Sequence, residues 1–527
     1  MIDSTRHSSL PVLLFGAALL ALLPGIVTPA NCYDEGLTLL GADRLLRGEL
    51  PYRDFWNTHT PGQIAVTALV FRLVGPSILA ARAFDIAARA AWSVVVFLLA
   101  DRAGPRWVAL AVWAAEVVLL ASLGQFGIAL TQAVGLSLAS LLATLWALAA
   151  SGGAAARGRP LRLLLPGLLA GLGILFRHDL GTAGAIAAAA TIGLGHLVFT
   201  SDVPVPARLR SALAGLAVFA AGVAAVVVPA ALLFLATATP FPRLLEIFVT
   251  YPLRVYPRVR AVPVLAGTAW LGVLVLELLP LAALAFAFSR PGRAPQRRRS
   301  ALALSGTAAL VLLTSPFVLV RADWLHQIAL SLPALALLPV SWWLLAGVPR
   351  LPPAVARLGV VALATVLLRP ALQGSQNWSR VPSLWRAGTS HGIPRAWGVP
   401  LEADQVEAIR AVWERVPPRA PLFVGNTRHD RAYRNDAIFY FLAERACVTY
   451  YHNLLPGLVT TERVQRQMTA ELVRAAPPVV VLRAGLDRSP EANQSRVKSG
   501  VTLLDDAIRA GYRLEQTRGH YQIWTRR

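Results

Sequence analysis

SALAGLAVFAAGVAAVVVPAALLFL, residues 211–235, is an uninterrupted apolar run of the length that crosses a lipid bilayer. A second block, residues 263–288, contains only one charged residue, Glu277. Across all 527 residues, 56% are apolar and 15% are charged, whereas about a quarter of a typical soluble domain is charged. Since a soluble core needs no apolar blocks of this length, the sequence predicts an α-helical polytopic membrane protein.

Short loops between the apolar blocks alternate in charge. The loops at 101–106, 151–162, 200–210 and 289–300 all carry Arg, while the turns between them are poorer in positive charge. Positive charge marks the cytoplasmic side, so the N-terminus is predicted inside and, with an odd number of spans, the C-terminal tail outside the cytoplasmic (inner) membrane. About eleven spans are predicted: 10–28, 80–100, 107–121, 128–150, 163–176, 180–199, 211–237, 263–289, 301–320, 324–347 and 354–372.

The net charge of +22 comes almost entirely from Arg in these loops. No basic stripe interleaved with aromatic residues occurs outside them, so nucleic acid is not an expected partner. Cys32 and Cys447 are too few for a disulfide framework or a structural zinc site. Both are predicted outside, where pairing is chemically permitted, and two unpaired thiols are the preferred interpretation.

Two domains are predicted, a transmembrane domain over 1–373 and a soluble α/β domain over 374–527. The boundary follows the drop in hydropathy after Arg369. The tail then alternates helical patterns with short apolar runs, which favours a small α/β fold. The predicted helices are 402–415, 436–444, 462–475 and 501–510, and the predicted strands are 421–425, 478–482 and 521–525.

The outer loop at 31–79 is too long to be a turn. Residues 35–47 form an amphipathic pattern, with Leu37 and Leu40 opposite Asp43 and Arg44. A second helix is predicted from an N-cap at Thr60 to Val74, before Gly75-Pro76. Both helices are expected to lie along the membrane surface.

Chemistry is concentrated in the same loop, which reads NCYDEGLTLLGADRLLRGELPYRDFWNTHTPGQ over 31–63. Asp34 and Glu35 directly follow the first span, where acidic residues also simply favour a helix start through the macrodipole. Together with the amphipathic helix and the PYRDFWxxHxPG segment, the acidic pair resembles the first periplasmic loop of GT-C glycosyltransferases, family 39 type, the protein mannosyltransferase and aminoarabinose transferase branch. The resemblance is best over the N-terminal third and looser over the whole span count.

This resemblance implies GT-C architecture and an inverting transferase. The enzyme would move a hexosyl or pentosyl group from a polyprenyl-phosphate carrier to an acceptor (lipid, glycan or protein) on the outer membrane face. An attacking hydroxyl needs a carboxylate to take its proton. Asp34 matches the family's acidic motif and is assigned as the base, with Glu35 as supporting carboxylate. The leaving lipid phosphate is a weak base, so cations rather than a general acid are required.

Cations at the predicted outer ends of spans are the candidates for binding the donor phosphate. Each group of candidates has an alternative. The charges at span ends could be ordinary interfacial charges that snorkel to water. The segment 243–260 could be a flap over the lipid-phosphate site or an interface belt, and Arg82, Asp85 and Arg89 could be an internal ion-pair cluster in the second span. Glu116 and Glu277, single acids inside spans, are expected to pair with Arg. The donor-phosphate candidates are Arg82, Arg177, His178, Arg254, Arg258, Arg321 and His326, and the candidate acceptor-binding or supporting residues are Asp54, His59, Asp179 and Asp323.

No metal ligand is assigned, and a divalent metal is left open as a cofactor. The polar stretch 426–436 follows a predicted strand, where ligands often bind in α/β sheets, and is either an acceptor-recognition site or a solvated loop. The alternative function is a polytopic lipid or solute transporter or flippase, which would favour polar residues or Gly/Pro breaks near mid-membrane in paired halves.

Overall fold

A computed structural model describes residues 9–124, 126–149, 160–198, 203–237, 239–265, 269–289, 295–369 and 380–527. Within these ranges, seven helices are long and apolar enough to cross a membrane. An eighth candidate is the pair Trp324–Leu335 and Leu338–Ala346, which bends by 54°. The seven are Ser9–Val27, Ile78–Ala103, Ala129–Ala149, His178–Leu197, Val205–Ala236, Trp270–Ser289 and Gln296–Val320.

Three shorter helices occupy the remaining predicted spans: Arg106–Ser122, Pro160–Phe176 and Pro353–Leu367. A helix therefore lies at each of the eleven predicted positions, and the prediction of a polytopic helical protein is confirmed. By length and apolarity alone, seven or eight of these helices qualify as full crossings. The bend in the eighth follows from Pro333 and Pro339, each of which removes a backbone donor.

Small residues bring the helices into close contact. A Cβ added at Gly167 would lie 2.2 Å from the Phe219 carbonyl oxygen, and one at Gly222 would lie 2.5 Å from the Leu164 carbonyl oxygen. Helices Pro160–Phe176 and Val205–Ala236 thus pack backbone against backbone, as small residues allow in membranes.

The outer loop forms the two predicted helices, Asp34–Leu46 and Gly62–Val74. Thr60 does not cap the second helix, because its hydroxyl donates to the Ile174 carbonyl at 2.7 Å. The polar face of the first helix does not face water. Arg44 donates to the Thr449 carbonyl at 3.1 Å, and Asp43 accepts from Arg395 at 3.0 Å, so this face is buried against the C-terminal part of the chain.

A further segment, called here the outer segment, covers residues 241–260. It is helical throughout, with Phe241–Leu245, a π-helical stretch Glu246–Val255 and Tyr256–Arg260. Just beyond it, Val262 forms a short parallel bridge with Arg321. This bridge holds the end of the outer segment beside the start of the broken helix pair.

The C-terminal part is an α/β fold, as predicted. Its five strands are β1 Pro421–Asn426, β2 Ala446–Cys447, β3 Val479–Arg483, β4 Tyr512–Arg518 and β5 Tyr521–Arg526, in the order β2-β1-β3-β5-β4. β1 runs parallel to β2 and β3, while β5 is antiparallel to β3 and β4. The predicted domain boundary at 373/374 lies outside the described residues. The α-helices are Val381–Ser390, Ala403–Arg415, Ile438–Ala443, Glu462–Ala475 and Leu503–Gly511.

Candidate active site

Asp34 begins the first helix of the outer loop. The Asn31 side chain accepts from the backbone N–H groups of Tyr33 and Asp34, both at 2.9 Å, and so shapes the turn between the first span and this helix. The Asp34 side chain is half-buried. Among the residues that the structure describes, none donates a hydrogen bond to its carboxylate. A base facing a substrate hydroxyl requires such an unused acceptor.

Three parts of the chain place charged groups around Asp34. Arg260 ends the outer segment, Arg434 follows β1 in the C-terminal domain, and Arg321 and Asp323 precede the broken helix pair. Burial raises the pKa of Asp34 to about 6, an effect that Arg260, Arg434 and Arg321 oppose and Asp323 reinforces. The carboxyl group therefore titrates just below neutral pH, in the range useful for a general base.

Glu35 and Arg82 pair with each other. Arg82 Nε lies 2.7 Å from Glu35 Oε1, Nη2 lies 2.8 Å from Oε2, and Nη1 donates to the carbonyls of Ile26 and Thr28. Both side chains are buried. Of the two interpretations open for Arg82, this geometry is the internal ion pair. Glu35 also accepts from the Asn31 N–H at 3.0 Å, which supports the turn before Asp34.

The same cluster continues along the second span. The guanidinium groups of Arg82 and Arg89 both lie over the Phe126 ring, at 4.8 and 4.6 Å from its centroid. Asp85 accepts from the Gly127 N–H at 2.6 Å. Elsewhere in the membrane part, Glu116 Oε2 is buried without a hydrogen-bond partner in the described part of the chain, so the expected arginine partner is not found there.

Arg321, Asp323 and His326 form one hydrogen-bonded unit. Arg321 Nε donates to Asp323 at 2.5 Å, and His326 Nδ1 lies 2.6 Å from the other Asp323 oxygen. Burial opposes ionisation of Asp323, but His326 and Arg321 hold its pKa well below the usual range. The remaining Arg321 donors bind Glu491 in the C-terminal domain and the Arg260 carbonyl.

Arg177 lies beside this unit. Its guanidinium donates to both oxygens of Asp179, at 2.8 and 3.0 Å, and covers the Phe317 ring at 4.4 Å. His326 stacks on the same ring, with centroids 4.3 Å apart. Phe317 thus brings Arg177 and His326, two of the donor-phosphate candidates, to one place.

His178 and His59 both lie near Arg177. The His178 ring contacts Phe248 of the outer segment, with centroids 5.0 Å apart. Burial, with Arg177 nearby, lowers the pKa of His59 to about 3, so this imidazole stays neutral. Asp54 lies apart from the cluster in a turn, where it pairs with Arg53 and accepts from the Leu50 N–H at 2.7 Å.

Arg254 and Arg258 lie on the exposed side of the outer segment. No described residue accepts a hydrogen bond from either guanidinium. Tyr256, between them, points the other way, and its hydroxyl lies 3.5 Å from His326 Nε2. The outer segment therefore presents an aromatic face to the site and two free cations outward.

Some residues beside Asp34 were not among the sequence candidates. Arg260 stood in a positive stretch and Arg434 in the polar stretch 426–436, but nothing local distinguished them from neighbouring arginines. Tyr33 donates its hydroxyl to Asn453 at 2.7 Å, and Glu491 binds Arg321. Each of these relationships joins distant parts of the chain, so no local signal announces it.

In the described ranges, no group of three or more His, Cys, Asp and Glu side chains comes together in a way that could hold a metal ion. The acids closest to a shared site are Asp34 and Asp323, and Asp323 is already engaged by Arg321 and His326. These residues do not form a metal-ligand set, and the chemistry below is derived without one.

The fold is that of the GT-C membrane glycosyltransferases, which confirms the resemblance at the level of architecture. ArnT from Cupriavidus metallidurans bound to undecaprenyl phosphate is similar over 98% of both chains, with a TM-score of 0.56 and 15% identity. The apo state of the same ArnT is similar over 97% of both chains, with a TM-score of 0.51 and 14% identity. A third similar structure is the archaeal oligosaccharyltransferase AglB from Archaeoglobus fulgidus, in complex with an inhibitory peptide and a dolichol-phosphate. The similarity covers 91% of this chain and 70% of AglB, with a TM-score of 0.50 and 12% identity. No family model and no curated protein sequence matches the chain.

Proposed function

We propose that this protein is an inverting glycosyltransferase that moves a sugar from a polyprenyl-phosphate carrier to an acceptor hydroxyl, with Asp34 as the base. One observation carries the proposal. Glu35, Asp54, Asp179 and Asp323 are all engaged by arginine or histidine, whereas the Asp34 carboxylate accepts no hydrogen bond in the described part of the chain. The solved structures with undecaprenyl phosphate and dolichol-phosphate support the carrier class.

In the proposed step, the acceptor oxygen attacks the anomeric carbon of the sugar and its proton passes to the Asp34 carboxylate. The bond between the anomeric carbon and the phosphate oxygen breaks, and the lipid phosphate leaves with the electron pair. Attack from the face opposite the leaving group inverts the anomeric configuration. The leaving phosphate gains charge, which nearby guanidinium groups stabilise.

The residues proposed to line the phosphate-binding side are Arg177, His178, Arg321 and His326. Phe317 contacts both Arg177 and His326, Asp323 links His326 to Arg321, and His178 contacts Phe248 of the outer segment. Asp179 and Asp323 orient Arg177 and His326 respectively. Arg254 and Arg258 are proposed to attract the anionic carrier at the exposed edge. His59 is proposed as a neutral group beside Arg177.

Other candidates receive supporting roles in this proposal. Glu35 and Arg82 position the turn that carries Asp34. Asp54 shapes the loop that follows the helix Asp34–Leu46. The site is proposed to face the outside of the inner membrane, with 374–527 as an external domain above the transmembrane domain 1–373. That placement suits an acceptor in the cell envelope.

The test uses the purified protein in liposomes with undecaprenyl-phosphate hexose or pentose and an envelope extract as acceptor source. Asp34→Asn is expected to lower the transfer rate by about a hundredfold to ten-thousandfold, the usual contribution of a general base. Asp506→Asn, the same change at an exposed ion pair with Arg509 in the C-terminal domain, is the matched control. Full transfer by the Asp34→Asn variant would sink the assignment, and carrier movement across the membrane without transfer would favour a flippase.

A further inference from the structure

Glu491 holds Arg321 from the C-terminal domain. Its two carboxylate oxygens accept from Arg321 Nη2 and Nη1 at 2.6 and 2.8 Å, a two-armed ion pair. Arg260 Nη2 lies 3.7 Å from the same carboxylate. The Glu491 side chain is only 13% exposed and that of Arg321 only 7%. A carboxylate thus occupies the place between two arginines that both act on Asp34.

The loop that carries Glu491 is attached to the C-terminal domain at its two ends and to the membrane part in between. Its ends are tied to the C-terminal domain, where Asp487 pairs with Arg431 and the Ser499 N–H donates to the Asp430 carbonyl. Residues 488–498, called here the strap, contain one 3-10 turn, Gln494–Arg496. The strap contacts the membrane part through Glu491, which binds the arginines, and through Asn493, which donates to the Ala261 carbonyl at 3.1 Å.

One hydrogen-bond donor beside Glu491 is unused. Arg260 Nε is buried and has no hydrogen-bond partner in the described part of the chain. Arg321 donates to both Glu491 oxygens and Asn493 donates to Oε2 as well, yet neither oxygen accepts from Arg260 Nε. The carrier without its sugar is a phosphate monoester, which offers three terminal oxygens and binds arginine with the same two-armed geometry. The unused Arg260 donor therefore matches a phosphate better than it matches Glu491.

We propose that Glu491 is an internal anion that fills the Arg260–Arg321 site in the carrier-free protein, and that the carrier phosphate displaces it and frees the strap from the membrane part. This inference rests on the proposed function, since it concerns the phosphate of that reaction. Asp323 keeps Arg321 oriented after Glu491 leaves, because its contact with Arg321 Nε does not involve Glu491. The exchange of one anion for another keeps both arginines neutralised at every stage.

Carrier affinity of the full-length protein in nanodiscs tests the proposal. Glu491→Gln removes the competing charge and is expected to tighten binding of undecaprenyl phosphate about tenfold, because a larger fraction of the protein is then able to bind the carrier. Glu515→Gln is the matched control, since Glu515 pairs with Arg415 within the C-terminal domain and its loss is expected to leave affinity unchanged. Inorganic phosphate is titrated in parallel. A gain for both ligands supports a site for phosphate of any source, and a gain for the lipid alone supports a lipid headgroup site.

Asn493→Ala provides a second test that keeps the Glu491 charge and does not depend on folding of the first variant. It removes one strap contact and is expected to tighten carrier binding about twofold or more, by making the competing state less stable. Hydrogen exchange over 488–498 is expected to rise in the unaltered protein when undecaprenyl phosphate binds. Equal or weaker carrier binding by Glu491→Gln, or unchanged exchange in the strap, overturns the displacement while leaving the transferase proposal intact. Failure of the unaltered protein to bind undecaprenyl phosphate overturns both.

Discussion

Gly36 lies directly against the backbone of Ile438, so closely that a Cβ added at residue 36 would come within 2.4 Å of the Ile438 nitrogen. The same nitrogen donates to the Cys32 carbonyl at 3.1 Å. The turn that carries Asp34 is therefore held by the C-terminal domain on both sides. This contact is backbone against backbone, which leaves little room for adjustment.

Gly36→Ala is accordingly expected to destabilise the protein by about 1–3 kcal/mol, the usual cost of overpacking, and to lower transfer by moving Asp34. Thermal unfolding in detergent and the liposome transfer assay measure the two effects. Gly511→Ala is the control, because a Cβ there meets no atom within 4 Å. Equal unfolding temperatures for the two variants would contradict the close approach.

Glu35→Gln leaves the Arg82 charge buried without its partner. We expect a loss of about 3–5 kcal/mol in the free energy of unfolding, as for one partner of a buried ion pair. Asp101→Asn breaks a partly exposed pair with Arg106 and is expected to cost about 1 kcal/mol or less. Chemical unfolding followed by tryptophan fluorescence compares them. Similar losses in both variants would argue against the buried pair as a structural support.

The pH dependence of transfer follows from the pKa of Asp34, which is raised to about 6. The base must be ionised, so kcat/KM is expected to fall about tenfold per pH unit below 6 and to be level above it. Initial rates between pH 4.5 and 8 provide the measurement. A transfer rate that stays level down to pH 4.5 would show that the carboxyl group is not shifted in the working enzyme.

The contribution of Asp34 to folding stability changes with pH in the opposite direction from the transfer rate. A carboxyl pKa raised on folding favours the folded state most below the unfolded value of 3.8, and that contribution is lost as the pH rises through about 6. Asp34→Asn removes the half-buried charge, so its unfolding temperature at pH 7 is expected to equal or exceed that of the unaltered protein. A marked decrease would indicate that the ionised carboxylate stabilises the fold.

Both cysteines are free thiols in the structure, the interpretation preferred from the sequence. Burial raises the pKa of Cys32 to about 12, with Asp436 adding to the effect and Arg483 opposing it. Since the thiolate is the reactive form, alkylation of Cys32 at pH 8 is expected to be slow in the native protein and fast after unfolding. Mass spectrometry of peptides labelled with iodoacetamide checks this. Rapid native labelling of Cys32 would contradict its burial beside Asp436.

Hydropathy located the membrane helices because a lipid-exposed helix satisfies its own backbone and needs only a long apolar run. Hydropathy alone does not show what a polar helix face contacts around the site. Residues 35–47 read as an amphipathic helix with one face in water, yet Arg44 and Asp43 bind the C-terminal domain. A polar face that meets water and one that meets a polar partner have the same pattern.

Strand prediction failed for both edge strands, β4 because its apolar content is low and β2 because it is only two residues long. β4, Tyr512–Arg518, is an edge strand of mostly exposed polar residues, and β2 contains only Ala446 and Cys447. Edge strands avoid apolar surfaces because an open edge invites aggregation, so they lack the alternation that reveals central strands. Asp34 was proposed as a site residue from its motif, whereas Arg260 and Arg434 lie near it only through tertiary folding.

The attachment of the turn that carries Asp34 to the C-terminal domain also has a consequence for the order of folding during synthesis. Arg44 finds its carbonyl partner at Thr449, 405 residues later in the chain. A nascent polypeptide that has already inserted all its membrane helices therefore still lacks Arg434, Glu491 and the backbone of Ile438. If the proposed transferase function holds, we expect sugar transfer only once the tail has emerged and folded, and chains truncated before the tail to be inserted but inactive.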